Sequence, residues 1–192
     1  MSLARYLSKL GALLSSDGKV PAAALAAGAA RANFGAGAVL QVKQITSGSV
    51  VSTTNTSWTD TGIAFAFDNA LQSNSKVLVC LDVMMGQMYA SSWAYLGYVT
   101  INEGGVNRGD ASYGIAGSAA NLAGSALTGG MQYDVERMGG SCLFTPSTTS
   151  PTVKLFFRCS DSTLGIKLNS NWNDSSSAYR SQLTGFMMEI AG

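Results

Sequence analysis

From Gly37 onward the apolar residues follow a period of two, and that alternation limits the fold more than any other feature of the chain. Side chains of a strand point alternately to two faces, so each such run has one face to bury. In Gly62–Phe67 the apolar set is Ile63, Phe65 and Phe67. In Thr152–Cys159 it is Val153, Leu155 and Phe157, with Lys154 and Arg158 on the other face. Further strands are predicted at Ala38–Thr46, Lys76–Met85, Ala94–Ile101, Met131–Met138, Ser141–Phe144, Gly165–Asn169 and Gln182–Ile190, with Ser, Thr, Asn and Gly clusters between them. Roughly eight to ten short strands with few helix signals predict a mainly β fold, an antiparallel β-sandwich or jelly roll. About 150 residues suffice to bury a core for it. The Gly/Ala/Ser-rich stretch Gly104–Gly130 is punctuated by Tyr113, Ile115, Leu122 and Leu127, too sparsely for a helix. It is read as loops at one end of the domain with an edge strand.

Residues 1–36 differ in kind. Leu3, Leu7, Leu10 and Leu14 recur at helical spacing, with Tyr6 and Leu13 beside them and Arg5 and Lys9 off the stripe. That pattern predicts an amphipathic helix and fits about two heptads of an a/d seam. Ser15-Ser16-Asp17-Gly18 supplies a stop, and an Ala-rich second segment opens at Pro21. Helices this short are marginal alone and need a partner surface. Two units are expected: 1–36, a helical docking and trimerisation segment, and 37–192, the β domain.

Composition narrows function by exclusion. Only 12% of residues are charged and the net charge is +1, too little for an electrostatic footprint on nucleic acid. No apolar run approaches the ~20 residues of a membrane span, so membrane insertion is not expected. Polar residues interrupt the N-terminal stretch too often for a signal peptide. Histidine is absent, which removes the commonest general base and zinc ligand. Cys80, Cys142 and Cys159 lie in apolar runs without CxxC spacing and are read as small buried hydrophobes in a reducing compartment. Asp134 and Glu136 share one face of a strand, read as solvated rather than as a catalytic pair. The tract Asn169–Asp174 lacks the acidic spacing of a calcium loop and is read as a turn. Neither a P-loop nor a GxSxG or GxGxxG motif occurs. No catalytic residue, metal or cofactor is expected.

Aromatic residues inside polar loops carry more information. Trp58 lies in Asn55-Thr-Ser-Trp-Thr-Asp60 and Trp172 in Asn171-Trp-Asn-Asp174, with Tyr179 after Ser175-Ser-Ser177. An exposed ring beside amides and carboxylates suits a sugar, through stacking and hydrogen bonds. The competing role is capping the ends of the domain or filling a subunit contact. Trp172, Tyr179, Asn171 and Asn173 are the candidate receptor contacts.

Several stretches resemble small tail-fibre and virion-surface proteins of tailed bacteriophages. They are Asp17-Gly-Lys-Val-Pro-Ala, Ala29-Ala-Arg-Ala-Asn-Phe-Gly-Ala-Gly-Ala-Val-Leu-Gln-Val42, Ser57-Trp-Thr-Asp-Thr-Gly-Ile63, Ser75-Lys-Val-Leu-Val79 and Met188-Glu-Ile-Ala191. The resemblance reaches both ends and the middle but omits 104–130 and the Trp172 loop. It implies a homotrimer whose N-terminal segment docks on the particle while a C-terminal β-sandwich faces outward. The expected function is therefore a structural virion protein, a short tail fibre or receptor-binding spike assembled in the host cytoplasm. Its expected partners are copies of itself, tail, baseplate or capsid-shell proteins, and a host surface glycan. Leu3, Leu7, Leu10 and Leu14 are the expected particle-anchoring residues. A capsid decoration protein (cement or head fibre) is the nearest alternative; a free carbohydrate-binding module and then a polysaccharide-degrading enzyme follow.

Overall fold

The computed structural model describes residues 36–87, 96–119, 135–160, 162, 165–171 and 181–192. Those residues form two antiparallel sheets and no helix. The first sheet joins β1 (Val39–Ser47), β2 (Val51–Thr53), β4 (Lys76–Gln87), β8 (Val135–Phe144), β10 (Ile166–Leu168) and β11 (Leu183–Ile190). The second joins β3 (Thr59–Ala66), β5 (Leu96–Glu103), β6 (Val106–Arg108), β7 (Ala116–Ala119) and β9 (Thr152–Cys159). The N-terminal Leu stripe lies outside the described residues.

Three ladder positions are each shared by two strands. Along one edge of β4, β11 pairs Thr184–Ile190 with Asp82–Lys76, and β10 continues with Leu168 opposite Met85 and Ile166 opposite Gln87. Beside them, β1 pairs with β11 and β2 with β10. In the second sheet, β7 and β6 follow each other along the outer edge of β5. Each shared position is a place where the chain leaves the sheet and comes back to the same line.

Alternation decides what is buried. Val77, Val79, Leu81, Val83 and Met85 of β4 point inward and are at most 5% exposed. They meet Val99 and Ile101 of β5 and Val153, Leu155 and Phe157 of β9 in one core cluster spanning both sheets. Each such side chain contributes about 1.5–3 kcal/mol on burial, so these rows fix the register of both sheets. Strand β9 matches its predicted span residue for residue. The runs expected separately at Met131–Met138 and Ser141–Phe144 instead meet in β8, because Gly139 and Gly140 stay paired with Asp82 and Leu81. Met138 on β8 is 5% exposed, so the face expected to be solvated turns into the core there. Of the stretch 104–130, residues up to 119 supply β6, β7 and the edge of the second sheet.

The two ends of the molecule differ. Gly37 N–H donates to Ala191 O (2.8 Å) and Ala191 N–H to Ala38 O (2.8 Å), so the chain comes in and goes out side by side. Also at that end, Leu71 N–H donates to Thr149 O (2.6 Å) and ties the connection after β3 to the one after β8. At the opposite end Gly86 faces Val135, Gln87 faces Ile166, Leu96 faces Ala119 and Gly97 faces Cys159. The connections 54–58, 88–95, 120–134 and 160–165 all start and finish there. Cys159 N–H donates to Asn55 O (2.7 Å), linking the sheets at this distal end.

Candidate functional site

The excursion that contains Trp172, Asn173 and Tyr179 leaves the first sheet between β10 and β11; those three residues lie outside the described ones. Its base is described. Asn169 takes a left-handed conformation (φ 58), which Asn tolerates better than most residues, and turns the chain out of β10. Ser181 N–H donates to Asn169 O (2.9 Å), closing the neck. Asn169 Nδ2 donates to Ser47 O (2.8 Å) and Ser49 O (2.9 Å), filling the break between β1 and β2. Asn169, Ser170 and Asn171 are each 0% exposed. Asn171, expected as a surface contact beside Trp172, therefore belongs to the buried neck. Its backbone crosses β4 at Gly86, where an added Cβ would lie 2.6 Å from Asn171 Cα.

A second excursion interrupts β6 and β7. Asp110 and Gly114 exchange backbone hydrogen bonds (3.0 and 2.8 Å), and the Asp110 carboxylate accepts from the N–H groups of Ser112 and Tyr113, both at 2.8 Å. This small loop carries Tyr113, which is 63% exposed. Under it, the Arg158 guanidinium lies between two rings, 5.2 Å from the Trp58 centroid and 5.0 Å from that of Tyr98. Tyr98 meets Tyr113 at 5.8 Å with a 58° tilt. Arg158 donates to Thr56 O (3.1 Å) and to Ser112 O, and Trp58 Nε1–H to Ala111 O (3.0 Å). Burial pushes the Tyr98 phenol up, against an opposing pull from Arg158. Trp58 thus holds the loop in place, and the exposed ring is Tyr113. The sequence marked Trp58 and noted Tyr113, but the ladder pairing alone brings Tyr98 and Arg158 to them: Tyr98 faces Arg158 across β5 and β9. What this group offers chemically is a ring to stack on and polar backbone around it. It holds neither a nucleophile–base pair nor, among the described residues, a cluster of metal-ligating side chains.

Two buried carboxylates brace the opposite end. Glu189, 0% exposed, accepts from Gln41 Nε2 (2.7 Å), Gln72 N–H (2.7 Å) and Ser75 Oγ (2.8 Å). Three of the stretches that carry the phage-protein resemblance meet here, through Gln41, Ser75 and Glu189. A fourth, around Ser57–Ile63, forms the bulge of β3: Asp60 Oδ1 accepts from Gly62 N–H (2.8 Å) and Thr61 Oγ1 donates to Leu155 O (2.8 Å). Glu103, 1% exposed, binds Arg108 Nη2 (2.5 Å) and accepts from Ser147 N–H (3.0 Å) and Ser147 Oγ (2.5 Å). Burial pulls its pKa up, but the hydrogen bonds from Ser147 and Arg108 outweigh that and hold it below the usual glutamate range.

A depressed carboxylate stabilises the fold above its unfolded pKa and loses that contribution as pH falls through the folded value. Melting temperature is accordingly expected to fall with pH below about 4.3, the ordinary glutamate value. Asp60, lowered by Lys154, and Asp82, lowered by Arg137, add the same sign below the ordinary aspartate range. Glu103→Gln should flatten part of this acid slope; an unchanged slope between pH 5 and pH 2.5 would rule the brace out as its source.

Of the cysteines, Cys159 is buried and Cys80 and Cys142 are half-buried, all as free thiols. Among the described residues no helix is long and apolar enough to cross a membrane. The chain matches no protein-family profile and no curated protein sequence.

Proposed function

We propose that the protein is a structural component of a bacteriophage virion, a trimeric short tail fibre or receptor-binding spike anchored to the particle through residues 1–36. One observation supports this most: the polarity of the β domain. The described chain comes in at Gly37 beside Ala191, while the connections 54–58, 88–95, 120–134 and 160–165 start and finish at the opposite end. A protein fixed at one end and reading a surface with the other needs that arrangement, because binding residues concentrate on loops held by a rigid scaffold. The fold is read as a jelly-roll sandwich behind a helical anchor. With each shared ladder position counted once, the order is β1/β2, β10/β11, β4, β8 in one sheet and β3, β9, β5, β6/β7 in the other, the eight positions of that architecture.

The anchor is tested in the full-length chain with Leu7→Asp/Leu10→Asp. Charges placed in an apolar contact cost several kcal/mol. The variant is expected to melt almost normally and to be missing from purified particles. Incorporation at the wild-type level would overturn the anchor reading.

A further inference from the structure

The outer side of the second sheet holds a cavity of about 410 Å³ at the end where the chain comes in and goes out. Two loops wall it. One is the two-residue hairpin between β5 and β6, in which Gly104 and Gly105 take positive φ (60 and 82) and Glu103 pairs with Val106. The other is the connection from β8 to β9, which contributes Ser147, Thr148 and Pro151. Ile101 of β5 and Val153 and Leu155 of β9 point into the core. Asn102 and Lys154, which face each other across the ladder, therefore stand on the outer side, and both line the cavity with Thr152. The walls are tied in advance. Ser147 donates to Glu103 through its N–H and its Oγ, and an added Cβ at Gly104 would lie 2.6 Å from Ser147 Oγ, so hairpin and connection are locked together. Leu71 N–H holds the same connection at Thr149 O. A site formed before its ligand comes loses little freedom on binding.

We propose that this cavity binds a neutral sugar residue. Its volume falls in the range of small-molecule sites, about 300–1,000 Å³. Such sites are mostly lined by apolar and aromatic side chains, but among the described residues Pro151 is the one apolar side chain in this lining, so an apolar ligand finds little to hold it. Charge disfavours an ion as well. Lys154 Nζ is matched by Asp60 Oδ2 at 2.9 Å, and Glu103 by Arg108 Nη2 at 2.5 Å. What stays open is hydrogen bonding without net charge. Asn102 spends an N–H on Asn107 Oδ1 (2.7 Å), and its Oδ1 accepts nothing from the described residues. The Lys154 ammonium has two further N–H donors, and Thr148 and Thr152 bring exposed hydroxyls. Donors and acceptors grouped around one compact space fit a molecule with a hydroxyl on nearly every carbon, because each desolvated hydroxyl needs a partner. Two residues along β9 from Lys154, about 6.8 Å away on the same face, Phe156 offers a half-buried ring to the next sugar of a chain. The cavity belongs to neither the β10–β11 excursion nor the Tyr113 loop, and binding there neither needs nor tests the virion role.

The test is saturation-transfer NMR and titration calorimetry on the full chain, with glucose, galactose, mannose and N-acetylglucosamine as neutral probes and glucuronate and inorganic phosphate as charged ones. At least one neutral sugar is expected to bind at millimolar concentration, and both charged probes more weakly. Asn102→Ala should weaken that binding about tenfold, the worth of one lost hydrogen bond. Because Asn102 is 9% exposed, a second variant keeps folding apart from binding. Thr152→Trp fills the cavity from an exposed strand position that tolerates an aromatic residue, and it should abolish binding with melting unchanged. Absence of binding by every neutral probe overturns the proposal. Binding that survives Thr152→Trp also overturns it and moves the sugar to another surface. Phosphate or glucuronate bound more tightly than the neutral sugars makes the cavity an anion site instead. Trp172→Ala should leave sugar binding as in wild type; if it abolishes binding, the sugar sits at the β10–β11 excursion, this proposal fails and the recognition reading above stands.

Discussion

Replacing Glu189 with Ala is expected to lower stability by about 3–5 kcal/mol, the range for breaking a buried, hydrogen-bonded charged group. The carboxylate is the shared acceptor for a strand and a connection. Gln41 brings β1 to it, and Gln72 and Ser75 bring the segment that leads into β4. Ser75 is 2% exposed, so its hydroxyl has little water to turn to once the acceptor is gone. For a domain of this size each kcal/mol moves the melting temperature by about 2–4 °C, which puts the expected drop near 10 °C. Glu189→Gln separates the hydrogen bonds from simple packing. Its amide oxygen can keep the bonds to Gln72 and Ser75, and Gln41 can turn its own amide to accept, so most of the loss should be recovered. An alanine variant that melts within 2 °C of wild type would show that the brace contributes little.

The strand pattern of this chain was legible because its core rows are strict. Val153, Leu155 and Phe157 alternate with Thr152, Lys154, Phe156 and Arg158, and β9 follows that pattern without a break. The short strands β2, β6 and β7 were harder. Val51–Thr53 holds only three residues, and Ala116–Ala119 has small side chains that give alternation nothing to register. These strands exist because a longer neighbour offers them an edge, which is a tertiary cause that no local window contains. Glycine misled for the opposite reason: Gly139-Gly140 separates the expected strands Met131–Met138 and Ser141–Phe144, yet Gly140 lies inside β8 where Ile115 O approaches it, a place a side chain cannot occupy. The candidate site divides along the same line. Asn171 stood beside Trp172 in sequence, and only the neck geometry separates its buried role from the loop beyond it. Tyr98 and Arg158 lie far apart in sequence and meet through a single ladder pair.

The neck of Asn169–Asn171 also gives the sharpest test of the loop that leaves it. Gly86→Ala is expected to cost about 1–3 kcal/mol, as overpacking does when the obstacle is backbone. The new Cβ would lie 2.6 Å from Asn171 Cα and 2.8 Å from its carbonyl carbon, with Ser170 O nearer still. Real contacts of that kind stay beyond 3 Å, so the segment 169–171 must move off β4. It cannot do so quietly. Asn169 N–H donates to Met84 O (2.8 Å), and its side chain spans the break between β1 and β2, so a shift loosens three strands at the base of the loop. Under the proposed function the larger effect falls on host adsorption, because a recognition loop displaced at its root presents Trp172 and Tyr179 in the wrong place. A drop in adsorption of tenfold or more is expected, with melting lowered by only about 2–10 °C. Trp172→Ala completes the comparison, since it should match the adsorption loss while leaving melting unchanged. If Gly86→Ala melts earlier but adsorbs like wild type, the loop is structural and recognition belongs to another surface of the domain, with the exposed ring of Tyr113 the next residue to replace.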